Sequence, residues 1–301
     1  MRFVIVGPGS LGCSLASLLA GAGDDVQLVH RDRARAGAMA ADGITVLHGQ
    51  RREHLRLPVV PAAEAWADAS LTIIATKAND VAAAVRDLRA TTVLAIQNGL
   101  DSERALLDRF GASNCLIGVV RTAAFREADG AVRLVRVLPT TVGRADGEPV
   151  SPAQGEPLAA MDAAGASIEI VEDIRPARWM KLLINAAINP VAAMLDVPNG
   201  RLAELPAACE LMGELAAEAA AVAAALGIVL PVADPSAFVA GVCRETAGNI
   251  NSMLADIRAG RATEVDYING AVCRAAEAAG LSTPFNRTAW QLVKARQAIE
   301  K

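Results

Sequence analysis

The sequence predicts an α/β domain followed by an all-helical domain. The chain has 301 residues, a length that usually forms two domains. Up to about residue 172, apolar segments of strand length alternate with segments of helical spacing, which is typical of a parallel sheet covered by helices. Beyond residue 175 the strand pattern ends and alanine-rich segments with helical spacing replace it. We therefore predict domains at residues 1–172 and 173–301.

The first turn of the chain has the glycine spacing of a dinucleotide-binding site. Residues 3–6 predict a strand, residues 11–22 predict a helix, and GPGSLG joins them. The first glycine permits a tight turn, the second lets a pyrophosphate approach the backbone, and the third lets the helix pack closely on the strand. N–H groups at the helix start favour phosphates. This predicts a Rossmann-type α/β N-terminal domain, with a glycine-rich turn that binds nothing as the alternative. The residues assigned to the cofactor here are Gly7, Pro8, Gly9, Ser10, Leu11 and Gly12.

The other elements of the first domain follow from the same alternation. Predicted strands cover residues 26–30, 71–76, 92–96, 115–120, 132–138, 140–142 and 167–171, and predicted helices cover residues 33–41 and 80–89. The strands from residue 115 onward are expected to add an antiparallel edge to the sheet. Residues 148–157 are rich in Pro, Gly and Ser and predict a loop.

One helix of the second domain carries polar residues on an otherwise apolar surface. Lys181, Asn185 and Asn189 are four residues apart and share a face, while apolar residues occupy the other positions. Such a helix should be buried, and a buried lysine needs a partner or a chemical role. The alternative is a lysine that only extends to solvent. Pro190 is expected to break the helical pattern, as are Pro or Gly at positions 198, 200, 227, 231, 260, 280 and 284.

Composition argues against several classes of protein. Hydrophobic residues make up 53% and aromatic residues 3%, so the core must consist of Ala, Leu, Val and Ile. The formal net charge of −4 argues against nucleic acid or an anionic membrane as the partner. Five cysteines without a C-x-x-C pair predict no disulfide and no zinc site, in a cytoplasmic protein. With three histidines and no metal-ligand cluster, no metal is predicted. We also expect no targeting segment and no membrane span.

The residues after the second strand bear on the choice between NADP and NAD. An acidic residue there binds the ribose 2′-hydroxyl of NAD, whereas an arginine accommodates the 2′-phosphate of NADP. The order is His30, Arg31, Asp32, Arg33. We favour NADP because a guanidinium suits bidentate phosphate contact. Arg31 is the predicted phosphate ligand, and whether Arg31 or Arg33 makes the contact stays open. Asp32 leaves NAD open, and without a phosphate both arginines would be ordinary surface charges.

Polar residues also follow two later strands and fill a segment near the C-terminus. Lys77 and Asn98 come after predicted strands, at the sheet edge where ligands bind, although a solvated strand end and a plain Asn-Gly turn are alternatives. Further on, Thr263 and Asp266 have the spacing of a capping box at a helix start. Glu264 would lie in the first turn of that helix, where a carboxylate is favoured for structural reasons alone.

The sequence resembles the ketopantoate reductase family, the 2-dehydropantoate 2-reductases, over nearly its full length. The resemblance rests on GPGSLG, Thr76-Lys77, Gln97-Asn98-Gly99, the spacing of Lys181, Asn185, Asn189 and Pro190, Pro198-Asn199-Gly200, and the block from Ser252-Met253 through residues 263–270. It implies a Rossmann-type N-terminal domain and an all-α C-terminal domain. It also implies reduction of 2-dehydropantoate to (R)-pantoate with NADPH, on the way to pantothenate and coenzyme A.

The resemblance further implies roles for individual residues. Lys181 would be the proton donor, and Glu264 would be the second essential residue. The cofactor residues beyond the glycine turn would be Arg31, Lys77, Asn98, Ala124 and Glu264. The substrate residues would be Asn98, Asn185, Asn189, Asn199, Asn249 and Ser252.

The chemistry of ketone reduction agrees with a lysine at the centre of the site. As hydride reaches the ketone carbon, the oxygen gathers negative charge, which an ammonium group can stabilise while it supplies the proton. The predicted partner is a small-molecule 2-oxo acid. The competing hypotheses are a reductase of another short 2-oxo acid, a 3-hydroxy acid dehydrogenase, and a non-catalytic NADP-sensing protein. The oligomeric state stays open, with a homodimer as one candidate.

Overall fold

The computed structural model describes residues 1–299, which divide into two units. The α/β unit comprises Met1–Gln97 and Ser102–Ile174, and the helical unit comprises Asn98–Asp101 and the chain from Arg175 onward. The boundary after residue 172 stays a prediction. The local sequence does not indicate that the short segment Asn98–Asp101 groups with the helical unit.

The α/β unit contains twelve strands and five α-helices within the described residues. The strands are β1 Arg2–Val6, β2 Asp25–Val29, β3 Ile44–His48, β4 Arg51–Leu55, β5 Val59–Val60, β6 Leu71–Ile74, β7 Val93–Ala95, β8 Cys115–Val119, β9 Ala123–Arg126, β10 Val132–Arg136, β11 Thr140–Arg144 and β12 Ile168–Ile170. The helices are α1 Ser10–Gly21, α2 Arg33–Asp42, α3 Val81–Val85, α4 Arg104–Phe110 and α5 Pro152–Met161.

The main sheet has the strand order of a dinucleotide-binding fold. Its eight strands run β12-β11-β8-β7-β6-β1-β2-β5. β1 pairs in parallel with β2 on one side and with β6 on the other, so the strand order reverses beside β1. Open α/β sheets bind their ligands at this reversal. The predicted Rossmann-type domain is therefore confirmed.

A second sheet and an antiparallel strand complete the unit. β11 pairs antiparallel with β8, as predicted for the edge of the main sheet. β10 does not extend that sheet but lies in a four-stranded sheet of order β4-β3-β10-β9. The prediction missed β3, β4, β5 and β9. β4 and β9 are mostly exposed or half-buried, so they lack the apolar run that marks a strand.

The helical unit is built around one long buried helix. Its helices are α6 Arg175–Leu195, α7 Asn199–Ala203, α8 Pro206–Ala225, α9 Pro235–Glu245, α10 Ser252–Arg258, α11 Asn269–Ala278 and α12 Pro284–Ile299. The core of this unit gathers Leu183 and Ala187 of α6 with Leu215 of α8 and Val272 of α11, all fully buried. Among residues 1–299, no helix is long and apolar enough to cross a membrane.

Three local predictions are wrong. Residues 148–157 are not all loop, because Ser151 and Gln154 form a capping box that starts α5 at Pro152. α6 does not end at Pro190 but continues to Leu195.

The predicted capping box at Thr263 is also absent. α11 begins only at Asn269, and the Thr263 hydroxyl accepts a hydrogen bond from the Val265 N–H instead. The Asp266 carboxylate accepts from Trp290 Nε1 at 2.6 Å, so its partner is a distant side chain rather than the nearby backbone.

Candidate functional site

The glycine-rich turn joins β1 to α1, and its three glycines meet different surroundings. Gly7 has φ +99°, and a Cβ there would lie 2.7 Å from the Thr76 nitrogen. A Cβ on Gly12 would lie 2.2 Å from the Gly7 carbonyl oxygen. A Cβ on Gly9 would meet no atom within 4 Å, and no side chain caps α1. Gly7 and Gly12 are thus required by packing, whereas Gly9 borders open space at an uncapped helix start.

Two buried polar atoms lie at the strand ends next to this turn. Thr76 Oγ1 and Gln97 Oε1 have no hydrogen-bond partner within the described chain. Gln97 Nε2 donates to the carbonyl oxygens of Ile74, at 2.5 Å, and Thr76, at 3.0 Å, so its side chain links the ends of β6 and β7. The half-buried Lys77 follows and precedes a short 3₁₀ helix, Ala78–Asp80. Open space, free helix N–H groups and unpaired polar atoms at the strand reversal fit a dinucleotide.

The residues after β2 differ in how their side chains are used. Arg31 is exposed and its Nη1 lies 2.9 Å from Asp80 Oδ1, while Arg33 pairs with Glu64 at 2.6 Å. Asp32 is the N-cap of α2 and accepts from the Arg35 N–H. That backbone hydrogen bond lowers the pKa of Asp32 below its ordinary value. The carboxylate that could have served a ribose is therefore committed to the helix start.

Arg126 lies beside the glycine-rich turn, a placement that sequence reasoning missed. Its Nη2 donates to the Pro8 carbonyl oxygen at 3.0 Å, and its Nη1 donates to the Gly130 carbonyl oxygen at 2.7 Å. Cys13 Sγ also contacts the Pro8 oxygen, and burial raises the pKa of this thiol. Arg126 ends β9, which also carries the half-buried Ala124. Arg126 and Pro8 are 118 positions apart, so no local pattern could have linked them.

In the helical unit, α6 presents the predicted lysine and asparagines. Lys181 and Asn185 are half-buried, and Asn189 is buried, on a helix whose other residues form much of the core. Because the three are spaced by four residues, they lie along one face. The face can therefore offer an ammonium group and two neutral amides in a row.

Asn98 and Glu264 are brought together although they are far apart in the sequence. Asn98 Nδ2 donates to Glu264 Oε2 at 2.8 Å, and Glu264 is 8% exposed. Next to this pair, the Leu100 N–H donates to the Tyr267 carbonyl oxygen, and Gly99 has φ +83°. A Cβ on Gly99 would lie 1.9 Å from that same oxygen, so only glycine permits the approach. The contact explains why Asn98–Asp101 groups with the helical unit.

The other predicted substrate residues lie near the loop that joins α9 to α10. Asn199 is buried, with its Nδ2 on Thr246 Oγ1 and its Oδ1 accepting from Asn251. Its side chain therefore already ties α7 to this loop. Asn249 and Ser252 are exposed. Asn251, which the sequence analysis did not single out, caps α10 by accepting from the Leu254 N–H. The substrate roles of all these residues stay predictions.

Comparisons with known proteins point to one family. Residues 3–147 match the family model described as ketopantoate reductase PanE/ApbA, and residues 173–297 match the model of its C-terminal part. The chain is 34% identical to the 2-dehydropantoate 2-reductase of Pyrobaculum aerophilum, with 98% of each chain covered. It is 31% identical to the enzyme of the same name from Halobacterium salinarum, with 99% of each covered.

Solved structures agree with this assignment. A PanE/ApbA family ketopantoate reductase from Ralstonia eutropha superposes with a TM-score of 0.89 at 26% identity, covering 100% of this chain and 99% of that one. A D-mandelate dehydrogenase in complex with NADH gives a TM-score of 0.88 at 25% identity, with both chains covered in full. The chain therefore belongs to the ketopantoate reductase (PanE/ApbA) family of oxidoreductases.

Proposed function

We propose that the protein reduces 2-dehydropantoate to (R)-pantoate with NADPH, a step toward pantothenate and coenzyme A. The observation that carries this proposal is the α6 face with Lys181, Asn185 and Asn189, in a chain whose relatives are named 2-dehydropantoate 2-reductase. A protein that only senses NADP would need the glycine-rich turn but no such face.

In this proposal the chain supplies the proton and the orientation of the substrate. The ammonium of Lys181 stabilises the negative charge on the ketone oxygen and donates its proton there. Asn185 and Asn189 hold polar groups of the substrate with neutral donors, which orient it without the desolvation cost of a full ion pair. Glu264, fixed by Asn98, accepts from a substrate hydroxyl.

The cofactor in this proposal is held by the α/β unit. The turn from Gly7 to Gly12 and the start of α1 would take the diphosphate, and Lys77 would lie beside it. NADP is favoured over NAD because Arg31 is an exposed guanidinium after β2, whereas the carboxylate of Asp32 caps α2. When bound, the reduced nicotinamide supplies the hydride.

A second candidate is a reductase of a different 2-oxo acid that uses NADH. It is favoured by the D-mandelate dehydrogenase complex with NADH, which superposes over the full chain. Both candidates share the lysine chemistry and differ in the substrate side chain and in the contacts around the adenosine ribose.

Initial rates with each cofactor and a panel of 2-oxo acids separate these candidates. The panel contains 2-dehydropantoate, 2-oxoisovalerate, pyruvate and phenylglyoxylate, each tested with NADPH and with NADH. We expect the highest kcat/KM for 2-dehydropantoate with NADPH. A higher value for phenylglyoxylate with NADH would favour the second candidate. Tight binding of NADPH without reduction of any 2-oxo acid would instead favour the hypothesis of a non-catalytic NADP-sensing protein.

A further inference from the structure

Pro190 leaves a gap in the hydrogen bonding of α6. The helix continues through Pro190 to Leu195. In an α-helix each N–H donates to the carbonyl four residues earlier, and proline has no N–H. The carbonyl of Ala186 therefore lacks its helical donor. Ala186 is fully buried, so its carbonyl cannot turn to bulk water for a hydrogen bond. Left unpaired, it would cost free energy of folding.

The side chain of Asn269 reaches this carbonyl from another element. Asn269 is fully buried at the start of α11, and its Nδ2 donates to the Ala186 oxygen at 2.9 Å. A side-chain amide thus takes the place of the backbone N–H that Pro190 cannot offer. The two residues are 83 positions apart, so this is a tertiary contact.

A chain of polar groups, from buried Asn286 to half-buried Glu218, orients the Asn269 amide. Nδ2 of Asn269 also donates to Asn286 Oδ1 at 3.0 Å, and Asn286 Nδ2 in turn donates to Glu218 Oε2 at 2.8 Å. Asn269 Oδ1, by contrast, has no hydrogen-bond partner among the described residues. Asn269 therefore acts here through its N–H donors, and a donor is what the Ala186 carbonyl requires.

The site of this contact lies in the same stretch of α6 as the face that carries Lys181, Asn185 and Asn189. Ala186 directly follows Asn185 and lies between Lys181 and Asn189 along the helix. A proline in a helix clashes with the carbonyl four residues earlier and bends the helix there. For Pro190 that carbonyl belongs to Ala186, the one that Asn269 holds. We propose that Asn269 is a positioning residue, which replaces the hydrogen bond lost at Pro190 and so fixes the direction of the Lys181–Asn189 face. The positioning role rests on the proposed function, whereas the replacement of the hydrogen bond does not.

A double-mutant cycle between Asn269→Leu and Pro190→Ala tests the proposal. Leucine has the same number and branching of side-chain heavy atoms as asparagine but no donor, and alanine at position 190 restores the backbone N–H to Ala186. We expect Asn269→Leu alone to destabilise the fold and raise the unfolding equilibrium constant about tenfold, because it leaves a buried carbonyl unpaired. It should also lower kcat/KM for 2-dehydropantoate when the rate is measured at a temperature well below that at which the variant unfolds. In the Pro190→Ala background both losses should shrink markedly, and the remainder should reflect Asn286, which also loses a donor.

The matched control is Asn251→Ala, which removes another buried asparagine of this unit, one that donates to Asn199 and accepts from the Leu254 N–H. Its effect on unfolding should be the same with Pro190 and with alanine at that position. If Asn269→Leu does not fold, folding of the double variant supports the proposal and failure of the double variant overturns it.

The cycle separates this proposal from the proposed function. Equal stability losses from Asn269→Leu in both backgrounds would overturn the replacement of the hydrogen bond. Rescue of stability without rescue of kcat/KM would overturn the positioning role. If the wild type reduces no 2-oxo acid, the proposed function and the positioning role fail together, and the stability cycle still decides whether Asn269 serves the Ala186 carbonyl.

Discussion

The two units build their candidate sites by different means. In the α/β unit the glycine-rich turn offers backbone to the proposed cofactor, and it requires that Gly7, Gly9 and Gly12 carry no side chain. In the helical unit the candidate site is made of side chains, and hydrogen bonds there join residues that are far apart in the sequence. Asn98 and Glu264 are 166 residues apart, and Ala186 and Asn269 are 83 apart.

This difference teaches how each site fails. A backbone site is disturbed when an atom is added, and the effect depends on what the atom meets. A side-chain site is disturbed when an atom is removed, and the effect depends on whether the lost group does chemistry or holds another group. The experiments below test this contrast, beginning with the largest expected effect.

Removal of the Lys181 ammonium should cause the largest loss. Lys181→Ala is expected to lower kcat by about 10²–10⁴-fold, the usual contribution of a general acid. The Kd for NADPH and the midpoint of urea unfolding should change little. The control is Lys294→Ala, since Lys294 pairs with Asp266 at 3.0 Å on the surface and should be dispensable for turnover. Near-normal kcat in Lys181→Ala would remove the lysine from the chemistry.

Adding one methyl group to the glycine-rich turn should affect fold stability at one position and NADPH binding at another. Gly12→Ala places a carbon 2.2 Å from the Gly7 oxygen, so we expect it to destabilise the fold by about 1–3 kcal/mol. Gly9→Ala meets no protein atom, so the fold should persist. The Kd for NADPH in Gly9→Ala should rise about 10–100-fold, because the methyl group occupies the approach to the backbone N–H groups. Urea unfolding and NADPH titration measure the two effects. Unchanged NADPH binding in Gly9→Ala would mean that the diphosphate does not lie there.

The contrast also explains how much could be predicted from the sequence. GPGSLG and the strands at both sides of the reversal are local patterns, so the Rossmann-type fold followed from the order of residues. The start of α5 was missed because its Pro and Ser were interpreted as loop residues, whereas Ser151 and Gln154 cap a helix. The contacts of Arg126 with Pro8 and of Asn269 with Ala186 depend on chain segments that meet only in the folded protein. No spacing rule contains that information.

Loss of the Arg31 guanidinium should affect one cofactor only. Arg31→Ala is expected to raise the KM for NADPH about tenfold, the value of a charged hydrogen bond, and to leave the KM for NADH unchanged. Arg33→Ala is the matched variant, because Arg33 is equally exposed and pairs with Glu64 as Arg31 pairs with Asp80. A rise in the KM for NADPH in Arg33→Ala instead would assign the 2′-phosphate to Arg33. Steady-state kinetics with both cofactors measure the effect. Equal changes for NADPH and NADH would contradict a contact with the 2′-phosphate.

The smallest expected effect concerns Asp32, and it tests whether this acid serves the helix or a ribose. The Arg35 N–H lowers the pKa of Asp32 below 3.8, so the carboxylate contributes stability above pH 3.8 and loses it as the pH falls through the lowered value. Asp32→Ala should therefore unfold at a lower urea concentration than the wild type at pH 7, and the difference should disappear in acid. Asp32→Asn is the matched variant, since asparagine caps a helix equally well without a charge. It should unfold like the wild type at pH 7 and keep its KM for NADH. A rise in that KM would instead place Asp32 at the ribose, and a side chain that the structure commits to the start of α2 would then have to serve the cofactor as well.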